Sequence, residues 1–189
     1  MSIMIASDIH GSAAFCKQLL GRFAAEKHDR LLLLGDILYH GPRNDLPTGY
    51  APKEVIAMLN PLSGIITCVR GNCDAEVDQM VLQFPIQEGC VPLEAFGLRL
   101  LLTHGHHVNP ENPPAQPCDA LLFGHTHVPY KERREGVWYL NPGSVSIPKE
   151  NSAHSYMTLD ERGFQWKSLD GTVYDALSME EAASPRRNA

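Results

Sequence analysis

Asp8 and His10 stand one residue apart just after an apolar stretch, and the same kind of placement recurs along the chain with Asp36, Asn72, His104, His125 and His127. Carboxylate, amide and imidazole are the donors of a divalent-cation site, and such a cluster offers Lewis-acid activation of water. On an extended chain alternate residues point the same way, so the carboxylate of Asp8 and the imidazole of His10 can hold one ion. Taken alone, that pair is more often a turn. Asp36 follows four leucines and Gly35. At the end of a buried strand its carboxylate needs hydrogen-bond donors or a cation to offset desolvation, and a cap would also serve. Gly105 separates His104 from His106, and Gly124 precedes His125-Thr126-His127, so the backbone can turn tightly enough for neighbouring imidazoles to face one centre. One histidine on an apolar strand reads as a core residue. Repeated coincidences at successive strand ends are not explained by core packing.

The elements that must position these residues are short apolar runs, at 3–5, 31–34, 65–69, 98–103 and 120–123. They read as buried strands whose carboxyl ends converge on one rim, where open α/β sheets bind ligands. After Gly11-Ser12, Phe15, Leu19, Leu20 and Phe23 recur at helical spacing, and 53–59 gives a second, shorter helix. Residues 39–51 form a loop broken by Gly and Pro. Alternating strand and helix predict a parallel α/β first half. From residue 91 the pattern changes to antiparallel hairpins: 91–96 with 98–103, 130–134 with 137–140, and 156–159 with 164–169. The Pro-rich stretch 109–117 is expected as a loop on the active rim. We read 1–177 as a single domain of the α/β class and 178–189 as a polar tail, frayed or unconnected to the core.

With 16 Lys and Arg against 22 Asp and Glu, the formal charge of −6 leaves no basic footprint for strong nucleic-acid binding. A bound cation still attracts phosphate, because it dominates the local field. The five cysteines are odd in number and scattered, which suggests neither a disulfide framework nor a zinc ribbon. Cys16, Cys68, Cys90 and Cys118 fall in apolar runs as small core residues, and Trp138 and Trp166 read as sheet packing. No window approaches a membrane span and no leader is visible, so we expect a cytoplasmic protein without membrane attachment.

Asp8-Ile9-His10, Gly35-Asp36, Gly71-Asn72-Cys73-Asp74, Thr103-His104-Gly105-His106 and Gly124-His125-Thr126-His127, followed by Asn141-Pro142-Gly143-Ser144, resemble the five-block signature of the calcineurin-like metallophosphoesterases. The nearest branch by these motifs is that of the small bacterial YfcE-like phosphodiesterases. The resemblance implies two mixed β-sheets flanked by helices in a four-layered sandwich. It assigns Asp8, His10 and His127 to one cation and Asn72, His104 and His125 to the other, with Asp36 bridging. All donors are nitrogen or oxygen, so Mn²⁺, Fe²⁺, Co²⁺, Ni²⁺ or Zn²⁺ are admissible, and Mn²⁺ is favoured by the resemblance. The implied reaction is hydrolysis of small phosphodiesters by in-line attack of a hydroxide held between the two ions, with Asp36, Asn72, Cys73 and His104 as the catalytic group.

One block departs from the family. Cys73 stands where most members have a histidine that assists the leaving group, and a thiol is a weak donor that cannot replace an imidazolium. His106 or His107 could substitute, and Asp74 would serve as a turn or helix-cap residue. Arg43 and Asn44, in the loop after Asp36, are candidates to hold a phosphate oxygen, as is His106; a solvated loop charge is the other reading of Arg43. A phosphomonoesterase on the same centre and a non-catalytic scaffold like the retromer subunits are the rival functions. Small family members self-associate, so a homo-oligomer is expected.

Overall fold

The computed structural model describes residues 1–184. In chain order the elements are β1 (Ile3–Ala6), α1 (Ala13–Ala25), β2 (Arg30–Leu33), α2 (Pro52–Leu59), a 3-10 turn (Asn60–Ile65), β3 (Ile66–Cys68) and α3 (Glu76–Gln79). There follow β4 (Cys90–Ala95), β5 (Leu98–Thr103), β6 (Ala120–Leu122), β7 (Pro129–Arg134), β8 (Val137–Pro142), β9 (Ser155–Asp160), β10 (Gly163–Ser168), β11 (Val173–Ser178) and α4 (Met179–Ala182). They build two mixed sheets, one in the order β11-β10-β9-β1-β2-β3 and the other β4-β5-β6-β8-β7.

Period-two alternation explains the layers. In β1, Ile3 and Ile5 face the second sheet while Met4 and Ala6 face the helices; in the leucine run, Leu32 and Leu34 face the sheet and Leu31 and Leu33 the helices. A strand buried on both faces has no polar side, which is why these runs are continuously apolar. Leu98, Leu100 and Leu102 of β5 meet Ile3, Ile5 and Leu32 in the layer between the sheets. Ser12 caps α1 by accepting from the Phe15 amide at 3.3 Å, and Ala13, Cys16, Leu19 and Phe23 form its buried stripe.

The flanking is uneven. The long helices α1 and α2 cover one sheet, whereas the outer face of the other, with Leu101, Leu121, Phe123 and Tyr139, is covered by side chains such as Val108 from the loop after β5. That loop joins β5 to β6, which pair in parallel, as do β6 and β8, so the second half is not purely antiparallel as its short spacings suggest. Loop 109–117 is tied to the segment after His104, where Asn109 donates to the Gly105 carbonyl at 2.8 Å, and to Arg134 of β7, which donates to the Pro110 carbonyl, but it does not line the cleft described below. Ile65 ends the 3-10 turn and does not start β3. Of the expected tail, 178–184 is joined to the body: Ser178 caps α4, Ala182 is buried and Arg133 donates to Ser184, while 185–189 lie outside the described residues. Cys16, Cys68 and Cys118 are buried and Cys90 is half-buried, and buried Trp166 donates its indole N–H to the Asn141 carbonyl at 2.7 Å. Among the described residues no helix is long and apolar enough to cross a membrane.

Candidate metal centre

Register puts the candidate ligands on one rim. Ala6 pairs with Leu33 and Leu33 with Cys68, so the chain leaves β1, β2 and β3 in step, toward Asp8, Asp36 and Asn72. In the second sheet Leu102 pairs with Leu122, and β5 and β6 release His104 and His125 side by side. A Gly124 amide donating to the His104 carbonyl at 2.8 Å, and a His125 amide donating to Asp8 Oδ2 at 3.1 Å, join the two rims.

The donor atoms converge. His10 Nε2 lies 3.2 Å from His127 Nε2, and Asp8 Oδ1 lies 3.6 Å from the first and 3.3 Å from the second. Asp36 Oδ2 is 3.6 Å from His10 Nε2 and 3.4 Å from His104 Nε2, which in turn is 3.0 Å from Asn72 Oδ1. The His125 ring stands with its centroid 5.1 Å from that of His104. Three histidines are fixed by backbone carbonyls: His10 Nδ1 lies 2.7 Å from the Tyr39 oxygen, His104 Nδ1 2.6 Å from that of Leu34, and His127 Nδ1 2.6 Å from that of Ile147. A carbonyl only accepts, so each Nδ1 carries a proton and each ring turns its Nε2 inward, the atom that would face a cation. Asp8 Oδ1 is fully buried with no hydrogen-bond donor. Inward Nε2 atoms around an orphaned carboxylate oxygen fit divalent cations, and the all-N,O donor set fits the first-row ions expected.

The backbone pays for this arrangement with left-handed conformations. Asp8, His10, Asp36, His125 and His127 have φ of 59°, 47°, 57°, 68° and 62°. Left-handed non-glycine residues are sparse and cluster at functional sites. Gly71 and Gly124 are needed for close approach: a Cβ on Gly71 would sit 2.1 Å from Asp36 Oδ1, and one on Gly124 1.9 Å from Ser7 Oγ. Gly105, with φ of 109°, is the glycine that makes the turn between His104 and His106.

Burial pushes the Asp8 carboxyl up, but the imidazoles of His10 and His127 outweigh it and hold it well below the usual range. Burial likewise opposes protonation of His104, yet Asp36 and Asp8 raise it to about 9. A cation bound among these groups would compete with the proton that the two carboxylates favour on His104.

The model of the calcineurin-like phosphoesterase superfamily domain matches residues 1–163. The chain belongs to that superfamily. It is 50% identical over 161 residues to Phosphodiesterase YfcE of Escherichia coli K12, covering 85% of this chain and 88% of the relative. The solved structure of E. coli YfcE, a phosphoesterase, superposes with a TM-score of 0.91 at 45% identity, over 95% of this chain and all of that one. Vps29 of Entamoeba histolytica, solved with zinc, gives a TM-score of 0.65 at 21% identity over 94% of this chain and 99% of its own, a likeness of fold alone.

In this calcineurin-like phosphoesterase the candidate ligand cluster opens into a cleft of about 1190 Å³ lined by Asp36, Asn72, Cys73, His125 and His127 at its base. Burial pushes the Cys73 thiol up to about 12, with Asp36 adding to it, so it is a neutral thiol at physiological pH. Its backbone N–H donates to Asp36 Oδ1 at 2.8 Å. Arg43 stands exposed on the cleft wall, and Asn44, also on the wall, spends its amide N–H on the His40 carbonyl at 2.7 Å. His106 packs against His104 and His125, with centroids 5.3 and 6.1 Å away, and does not line the cleft. Burial and the neighbouring His104 lower it to about 4, leaving a neutral ring.

Other residues emerge only from the structure. Asp74 is not a simple cap: its carboxylate accepts from the amides of Asp36, Ile37 and Gly71 at 2.7–2.8 Å, stitching the Asp36 loop to the Asn72 loop. Ser144 and Ser146 both donate to the Asp8 carbonyl at 3.0 Å, and Asn141 donates to the Gly124 carbonyl at 2.8 Å. The Asn141-Pro142-Gly143-Ser144 motif was the available signal for these last contacts. For Asp74 the adjacency to Asn72 was.

Proposed function

We propose that this calcineurin-like phosphoesterase is a metal-dependent phosphodiesterase acting on small soluble substrates. The supporting observation is the convergence of seven donor side chains on one rim, three of their imidazoles locked by backbone carbonyls with Nε2 inward. Asp8, His10 and His127 would hold one cation, Asn72, His104 and His125 the other, and Asp36 both, since its Oδ2 stands between His10 and His104. Two bound divalent cations, Mn²⁺ favoured, supply acidification of water and neutralisation of phosphoryl charge. The chain's own part is to orient. The carbonyls of Tyr39, Leu34 and Ile147 fix the rings, the Cys73 amide fixes Asp36, and the open cleft admits the diester for in-line displacement. A diester is favoured over a monoester because Cys73 is a neutral thiol, offering neither a strong acid for the leaving oxygen nor a cation for the extra charge. The scaffold reading is less favoured, since all seven donors are retained and converge.

Chelation followed by metal add-back tests the proposal, with turnover of bis(4-nitrophenyl) phosphate and metal content followed together. Activity should return in proportion to two ions per chain. Undiminished turnover in protein verified to be metal-free would overturn it. We further propose a homo-oligomer, supported by sheet edges at β4, β7 and β11 and by exposed Val173 and Tyr174 on the last of these, and a cytoplasmic location, supported by five free cysteines. A monomeric mass by light scattering at micromolar concentration would reject self-association.

A further inference from the structure

The cleft is larger than a scissile phosphate needs. Its volume of about 1190 Å³ exceeds the roughly 300–1,000 Å³ of ordinary small-molecule pockets. Above the ligand cluster its walls carry three cationic side chains from three separate loops: Arg43 after β2, Arg70 after β3, and Lys149 between β8 and β9. None of the three forms an ion pair among the described residues, which is also true of Lys17, Lys27, Arg30, Lys53 and Arg133 away from the cleft, whereas Arg22, Arg99, Lys131, Arg134, Arg162 and Lys167 each do. Arg70 spends only its Nε, on the Asp74 carbonyl at 3.4 Å, and keeps its terminal nitrogens for a ligand. Against them stands a single exposed carboxylate on the wall, Glu76, since Asp36 and Asp74 are buried and already engaged. Three cations without an ion pair therefore line this one mouth on a chain whose net charge is −6. Tyr39, 43% exposed, and Val77, 61% exposed, add apolar surface to the same walls.

We propose that the outer cleft selects phosphodiesters in which one alcohol part carries a second, non-scissile phosphate. Arg43, Arg70 and Lys149 hold that phosphate, and the carbon skeleton lies against Tyr39 and Val77. Two guanidinium forks and an ammonium match the several acceptors and near-double charge of a phosphate better than a carboxylate. The inference rests on the phosphodiesterase reading only for which phosphate is cut.

The test compares thymidine 5′-(4-nitrophenyl phosphate) with its 3′-phosphorylated form on the Mn²⁺-loaded protein. The 3′-phosphate should raise kcat/KM about tenfold at low salt, with the advantage shrinking as ionic strength rises. In the Arg43→Ala/Lys149→Ala double variant the ratio should fall to about one. A wild-type ratio of one, or an advantage that survives in the double variant, overturns the proposal. Calorimetric binding of thymidine 3′,5′-bisphosphate against thymidine 5′-monophosphate reads the same site without turnover, and the bisphosphate should bind about tenfold tighter in the wild type only. Tighter binding with neither diester hydrolysed rejects the phosphodiesterase reading and keeps the anion site. Equal hydrolysis with equal binding rejects the anion site and keeps the phosphodiesterase.

Discussion

The floor of the cleft and its walls are built on opposite principles. On the floor, Asp8, His10, Asp36, His104 and His127 are at most 3% exposed, and the side chain of each is tied to backbone. On the walls, Arg43 and Lys149 are exposed, belong to loops, and make no ion pair among the described residues. A buried, over-determined frame fixes donor positions before a cation arrives, which is what reproducible chemistry requires. Exposed side chains on loops adapt to what the chemistry is performed on. Changes to the floor should therefore cost metal and stability, while changes to the walls should alter only the choice of substrate.

The most severe test of this division is Asp36→Ala, which removes the oxygen standing between the two donor sets. It should lower kcat/KM by about a thousandfold and reduce bound metal below two per chain. A variant retaining both ions and most activity would break the comparison at its centre. Restoring imidazole beside the floor by Cys73→His should shift the ratio of aryl monoester to diester hydrolysis upward, by roughly tenfold to a hundredfold as general acid catalysis allows. Metal content should stay at the wild-type value; an unchanged ratio would show that Cys73 does not set the preference.

Asp74→Ala separates frame from ligand, because Asp74 touches only backbone amides. Leaving buried N–H groups unpaired should destabilise the fold by about 3 kcal/mol and weaken metal binding, read by urea unfolding and by metal titration. Unfolding that matches the wild type would reduce Asp74 to a bystander. The smallest effect lies away from both regions, at Glu26, which accepts from Arg22, Lys167 and Tyr156. Burial pushes its carboxyl up, but these donors outweigh it and lower it from the usual 4.5 to about 2. A depressed folded-state pKa contributes stability above pH 4.5, and the contribution is lost as pH falls toward 2. Glu26→Gln should thus be less stable than wild type by about 1 kcal/mol at neutral pH after solvent screening. The gap should close in acid, and a gap that persists at pH 2 would assign the effect to packing.

Much of the floor was legible in the sequence because a donor after an apolar run states both its chemistry and its place at a strand end. What the run could not state is how the chain turns there. The left-handed φ values of Asp8, His10 and Asp36 follow from loops held by one another, as in the His10 amide donating to the Asp36 carbonyl. Asp74 was read only as a turn or cap residue for the same reason, since its three partners are amides with no side-chain signature. The strand β11 escaped because only Leu177 in it is buried, leaving an edge strand with almost no hydrophobic pattern. The parallel pairing of β5 and β6 escaped because a Pro-rich loop replaces the usual crossover helix. The walls were legible least, because an arginine in a loop looks alike whether or not it faces a cleft.

The left-handed residues on the rim also restrict what a protein engineer can exchange there. Asp8 or Asp36 replaced by Glu would keep a carboxylate, yet a longer side chain tolerates φ near 60° less readily than Asp, Asn or Gly does. Each such position filters its occupant twice, once by donor atom and once by backbone tolerance. Grafting the seven side chains onto an ideal strand-and-loop scaffold would transfer the donors without their directions. The portable unit is the turn together with its ligand, and a transplanted centre needs the loops of 7–12, 34–38 and 124–128 carried over whole.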